Sequence, residues 1–242
     1  NYYRLKGNLG EAIRFHERAL FIYEHSPDDI PEGNYLSVVY NLADCYHQVN
    51  REAEALKLAT RYSTSGSFRN QLNYLNLLAS IYAASGKVSQ AESIYHSIFE
   101  KFRHNKEADE PFLADQYLYY AQFLNKTSQK DSALHYLLKA GEIYHEHPHM
   151  QGNLGDLYSL IGDAWSGKNI EATTSADFQN QKSKNLLTAV QFYKKALNYL
   201  NDTGDIERMD FPLFKESNFP VQTLRILRDL GIAYHQLAGL TQ

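Results

Sequence analysis

Apolar residues recur at spacings of three and four through residues 40–59, 75–95 and 119–140, and short polar breaks separate the runs. That period puts them on one face of a helix, so each run predicts α-helix. The three segments read YNLADCYHQVNREAEALKLA, LNLLASIYAASGKVSQAESIY and YYAQFLNKTSQKDSALHYLLKA, and they align. Each carries a small residue, a bulky one three later and an alanine twelve after the first: Ala43, Tyr46, Ala55; Ala79, Tyr82, Ala91; Ala121, Leu124, Ala133. A large side chain stands before each first alanine: Leu42, Leu78, Tyr120. This is the pattern of a helical hairpin. Small residues on both helices let the backbones approach, and bulky neighbours fill the adjoining space. A single hairpin cannot bury its own apolar face, so copies must stack.

The alanines at 12, 55, 91, 133 and 189 are separated by steps of 43, 36, 42 and 56 residues. The step of 56 requires an insertion, which SGKNIEATTSADFQNQKSK (166–184) supplies. Its first half is polar loop, and Thr174 is the expected N-cap of a long helix running to about Leu200, with Asp177 three residues on. The predicted organisation is one solenoid: a half repeat at 1–25, repeats near 34–66, 70–104, 112–145 and 149–200, a crossover at 201–220 and an unpaired first helix at 221–242. Two half repeats at the ends, and a first residue, Asn1, that is not methionine, lead us to expect a piece of a longer protein.

The pattern closely resembles the tetratricopeptide repeat (TPR), whose core reads L-G-x-x-Y, then A-x-x-x-F, then a small residue. ALHYLLKA (Ala133, Leu137, Ala140) and AVQFYKKA (Ala189, Tyr193, Ala196) are similar to the last two elements; NLGDLY (Leu154, Gly155, Tyr158) and DLGIAY (Leu230, Gly231, Tyr234) are similar to the first. The resemblance implies an all-α fold, an α-α superhelix of stacked antiparallel hairpins. Three positions depart from it: Ala59 stands where a bulky residue is expected, and Tyr62 and Ile98 where small ones are. Packing between the second and third repeats is therefore the weakest point of the alignment.

The resemblance also implies that first helices line a concave groove. Counting six and three before each small residue, and one and four after, selects Ser37, Tyr40, Asp44 and His47, then Asn73, Asn76 and Ser80. The same count gives Asp115, Leu118, Gln122 and Asn125, and near the end Arg225, Arg228 and His235. Asn, Gln, Ser and Tyr suit hydrogen bonding to an extended peptide backbone. Capture of a terminal carboxylate by a Lys–Asn–Arg clamp is not expected, because Asp44 and Asp115 repel acidic tails.

Composition narrows the classes of function. Of 242 residues 19 are Tyr, against 13 Gly and 6 Pro, which suits helices with repeated aromatic packing positions. A net charge of −4 argues against a nucleic-acid partner. No apolar run approaches the roughly 20 residues needed to cross a bilayer. One cysteine, Cys45, cannot close an internal disulfide, so a cytoplasmic location is the expectation.

Candidate chemistry is sparse. His145-Glu146-His147-Pro148-His149 satisfies H-E-x-x-H, the zinc-protease signature. That signature needs a continuous helix, and Pro148 breaks it at a cost of roughly 3 kcal/mol. A metal-dependent enzyme built on this cluster is the alternative reading that we set aside. Cys45 and His47 diverge on a helix and form no dyad. SGKN (166–169) lacks the glycines of a phosphate loop, and DTGDIERMD (202–210) lacks the spacing of an EF-hand. We therefore expect no catalysis, no cofactor and no metal.

Residues 198–242, with Phe211, Phe214, Phe219 and then TLRILRDLGIAY, are similar to the junction in bacterial TPR–CHAT proteins, where a repeat array precedes a caspase-like peptidase. That likeness implies a bacterial recognition or regulatory arm whose catalytic domain lies downstream. The alternative context is the repeat arm of a sensor kinase or transcription regulator. In either, the expected partner is a protein or peptide segment in the groove, and the half repeats at the ends offer surfaces for end-to-end self-association.

Overall fold

The structure is a computed structural model and describes residues 8–25, 31–105, 109–200 and 221–240. Among them are ten α-helices and no strand. Two compact units divide the chain, residues 1–106 and 107–242. The first holds α1 (Leu9–His25), α2 (Glu32–Gln48), α3 (Glu52–Tyr62), α4 (Phe68–Ala84) and α5 (Val88–His104). The second holds α6 (Glu110–Lys126), α7 (Lys130–Glu146), a short 3-10 helix (Pro148–Asn153), α8 (Leu154–Ser166), α9 (Ser175–Leu200) and α10 (Val221–Leu240). The crossover expected at 201–220 lies outside the described residues, as does the start of the first half repeat.

Within each unit every helix packs on the next, and alternate helices also touch: α2 with α4, α6 with α8, and α8 with α10. That is the contact pattern of stacked hairpins in two layers, an all-α helical-repeat fold. The small residues explain it. Ala43, Ala55, Ala79, Ala91, Ala121 and Ala133 are wholly buried, where the helices of each hairpin cross.

The turns closing three hairpins are built alike. Asn50, Gly86 and Ser128 adopt left-handed backbone, with φ of 60°, 73° and 63°. Just beyond them Arg51 N–H donates to Tyr46 C=O (2.8 Å), Lys87 N–H to Tyr82 C=O (2.8 Å) and Gln129 N–H to Leu124 C=O (2.9 Å). These are Schellman closures, which satisfy carbonyls that a helix end otherwise leaves orphaned. The bulky residue of the sequence pattern is thus also the acceptor of the closing bond.

Local chemistry sets the helix starts. Ser67 Oγ accepts from Asn70 N–H and Asp109 Oδ1 from Phe112 N–H, and each caps its helix. Thr174 Oγ1 accepts from Asp177 N–H (3.1 Å) and donates to the Asp177 carboxylate (2.6 Å), fixing the first turn of the 26-residue α9.

The two departures at residues 59 and 62 are absorbed by aromatic packing. Ala59 is fully buried, while the half-buried Tyr62 stacks on Tyr74 at 6.2 Å and pairs its hydroxyl with Tyr35 at 2.7 Å. Tyr74, itself buried, donates to Leu36 C=O across to α2 (2.7 Å). Ile98 is buried without exposure. Helices α3 and α4, of the second and third repeats, are therefore packed through tyrosines.

In α8 the hairpin uses a different glycine from the one in the L-G-x-x-Y match. A Cβ on Gly162 would come within 2.6 Å of the Tyr193 ring of α9, whereas Gly155 faces Leu200 near the far end of that helix. Ala43, Ala79 and Ala121 each stand five residues before their helix ends, and Gly162 stands four before the end of α8. Gly162 is thus the structural counterpart of those alanines.

Candidate functional site

In the first unit, Ser37 and Tyr40 of α2 and Asn73 of α4 come together with Leu36, Asn41 and Asn70 around a cleft of about 210 Å³. The cleft is polar and carries no charge. Ser37 Oγ donates to Gly33 C=O of its own helix. Asp44 accepts from Gln48 on the same helix (2.8 Å). His47 and Ser80 meet directly, Nε2 to Oγ at 3.1 Å, while Nδ1 lies 3.0 Å from Glu52. The carboxylate can only accept, so Nδ1 carries the proton toward it, and in the neutral ring Nε2 accepts from Ser80. Asn76 is 8% exposed and belongs to the interior rather than to the cleft.

The second unit gathers more of the chemistry. Two hollows share Gln122, Leu160 and Arg225 in their walls. The first, of about 670 Å³, adds Asp115, Leu118, Tyr119, Asn153, Asp156 and Gln222. The second, of about 410 Å³, adds Asn125, Lys126, Lys130, Asp163, Tyr193 and Arg228 among others. Six residues selected from the sequence therefore line one surface formed by α6, α8 and α10: Asp115, Leu118, Gln122, Asn125, Arg225 and Arg228. His235 is exposed and lines neither hollow.

Asp156, Asp163 and Ser166 were not selected. Counting from Gly162 with the offsets used elsewhere gives Asp156, Ser159, Asp163 and Ser166, so the signal was present under the other glycine. Ser159 is fully buried and accepts from Arg225 Nη2 at 2.8 Å, holding the guanidinium over α8. Lys126 and Lys130 sit at the turn between α6 and α7, outside the counted positions.

Buried tyrosines on the second helices hold the groove acids. Tyr144 of α7 donates to Asp115 Oδ1 (2.8 Å), which also accepts from Asn153 Nδ2 (3.0 Å). Tyr193 of α9 donates to Asp163 Oδ1 (2.8 Å). Burial pushes both phenols far above their ordinary pKa, and the neighbouring carboxylates add to this, so both remain protonated donors. Burial also raises Asp163, against the Tyr193 hydrogen bond and the charges of Arg225 and Lys130. Asp156 is raised by burial and lowered by Arg225. Burial depresses Lys130, whose Nζ donates to Asn125 C=O (2.7 Å).

Two polar atoms in this lining have no hydrogen-bond partner among the described residues. Asn125, 7% exposed, donates through Nδ2 to Leu160 C=O (2.9 Å) and leaves its buried Oδ1 unbonded. Arg225 Nε is likewise buried and unbonded. One is an acceptor and the other a donor, and leaving such groups unmatched costs about 1–3 kcal/mol each.

Of the three clustered histidines, His147 and His149 meet edge to face at 5.8 Å, while His145 turns to another partner. Helix α7 ends at Glu146, and His147 begins the link to the 3-10 helix. His147 Nδ1–H donates to Ile143 C=O (2.9 Å), and His145 Nε2 meets the Tyr158 hydroxyl at 3.2 Å. Among the described residues no three His, Cys, Asp or Glu side chains are placed to hold a metal ion. Cys45 is a buried thiol. Residues 202–210 lie outside the described part.

No family model matches the chain, and no curated protein matches it. Among solved structures, the crystal structure of BtubC (BKLC) from P. vanneervenii is similar in fold, with a TM-score of 0.57 over 97% of this chain and 84% of that one. The two sequences are 17% identical, so the likeness is one of helical-repeat architecture alone.

Proposed function

We propose that this chain is a non-enzymatic TPR-type scaffold that holds an extended protein or peptide segment against the α6–α8–α10 face of its second unit. The observation that carries the reading is the pair of unbonded buried groups, Asn125 Oδ1 and Arg225 Nε, in hollows that share a wall. An extended backbone offers alternating N–H and C=O groups, which match one acceptor and one donor. Gln122 and Leu118 add a polar and an apolar contact on the same face. The uncharged cleft beside Ser37, Tyr40 and Asn73 is a second, smaller surface of the same chemistry.

The sequence likeness at 198–242 supports placing this scaffold as the recognition arm of a bacterial TPR–CHAT protein. No described helix is long and apolar enough to cross a membrane.

Selection of short random peptides on the immobilised chain tests the reading. Enriched peptides should lose about tenfold in affinity on Arg225→Ala and on Gln122→Ala, as expected when a single desolvated contact is removed. No enrichment, or binding indifferent to both substitutions, would sink it.

A further inference from the structure

The two hollows of the second unit differ in charge. One holds Asp115 and Asp156, with Arg225 in the shared wall. The other holds Lys126, Lys130 and Arg228, with the acids Asp163 and Asp229. Counting the shared Arg225, four cations face two acids there, so this hollow is net positive. Asp229 pairs with Arg228 at 2.8 Å, and Asp163 accepts from Tyr193. Lys126 remains on the exposed rim. At the opposite hollow, Asp156 is half-buried beside Arg225, while Asp115 keeps its carboxylate fixed by Tyr144 and Asn153. The unbonded Asn125 Oδ1, more than nine-tenths buried, lines the basic hollow and marks the surface between these charges as built for a ligand.

Resting on the peptide reading above, we propose that the preferred ligand is a bipolar peptide: a basic side chain seated at Asp115 and Asp156, and an acidic side chain about five residues away at Lys126 and Lys130. The spacing follows from helix geometry. Asp115 and Lys126 lie eleven residues apart on α6, about 16 Å at 1.5 Å per residue. An extended peptide advances about 3.3 Å per residue and spans that length in about five. Charge order, more than total charge, then selects the ligand. A doubly acidic segment meets Asp115 and Asp156, and a doubly basic one meets Lys126 and Lys130. The two bipolar orders satisfy the charges only in opposite backbone directions, and the chiral lining of the hollows favours one of them.

The test uses the intact chain and five synthetic peptide pools, neutral at the remaining positions. They carry basic-then-acidic, acidic-then-basic, doubly acidic, doubly basic, or no charges at the two sites. One bipolar pool should bind about fivefold better than the neutral pool and than either like-charged pool, and the advantage should shrink at high salt. Asp156→Asn and Lys126→Gln should each remove most of that advantage. The swap Asp156→Lys with Lys126→Glu, which sets a cation beside Asp115 and an acid beside Lys130, should abolish the preference for order. Equal binding of bipolar and neutral pools would overturn the charge pairing and leave the peptide reading intact. No binding of any pool would overturn both.

Discussion

Removing one hydroxyl, Tyr193→Phe, probes how the second unit holds its groove. The ring is 2% exposed and packs against Gly162, so phenylalanine keeps the shape and deletes the bond to Asp163 Oδ1 together with a long contact to Ser166 Oγ at 3.5 Å. A hydrogen bond to a carboxylate is worth about 1.5–3 kcal/mol and a neutral one about 0.5–1.5 kcal/mol. Burial raises Asp163 above the ordinary carboxylate range. Between the unfolded and folded values the folded chain holds a proton that the unfolded chain has released, so stability falls as pH rises through that window. The Tyr193 hydroxyl stabilises the ionised form and opposes this fall. Its loss should therefore cost about 1.5–3 kcal/mol at neutral pH and closer to 1 kcal/mol once Asp163 is protonated in both states. Trp165, the only tryptophan, is packed beside the α9–α10 core cluster and reports unfolding of this unit by fluorescence in urea. A loss below about 0.5 kcal/mol at neutral pH, or an equal loss in acid, would refute the assignment of Tyr193 as the support of an ionised Asp163.

Four further substitutions test the architecture. Gly162→Ala should cost about 1–3 kcal/mol by driving a methyl into the Tyr193 ring, whereas Gly231→Ala, open on α10, should gain about 0.5–1 kcal/mol by favouring helix; thermal melts of the pair give the contrast. Ser128→Gly should stabilise by about 0.5–1 kcal/mol, because φ of 63° strains any residue with a Cβ. Thr174→Ala should lose about 1 kcal/mol and speed hydrogen exchange in the first turns of α9, where the hydroxyl holds Asp177.

The hairpins were legible because their signal is local and repeated. Ala43, Ala79 and Ala121 mark the helix crossings in the sequence as they do in the structure, and Thr174 was readable as a cap from its own chemistry. The groove was only partly legible. Arg225 falls at a counted position, but its bond to Ser159, 66 residues away, depends on the stacking of α10 against α8. Two glycines in α8 satisfy the small-residue rule, and only the approach of Tyr193 selects Gly162. Tyr193 stands in the repeat motif and is buried, as is Tyr144; that their hydroxyls also fix Asp115 and Asp163 follows from three-dimensional packing that no period encodes.

Side-chain resonances of Arg225 and Asn125 test the central claim most directly. Nitrogen-edited NMR of the intact chain, titrated with a peptide selected on it, should move the Arg225 Nε–H and Asn125 amide signals, with backbone shifts concentrated in α6, α8 and α10. Shifts confined to α7 and α9, around the exposed Leu138 and Leu187, with Arg225 and Asn125 unmoved, would contradict it.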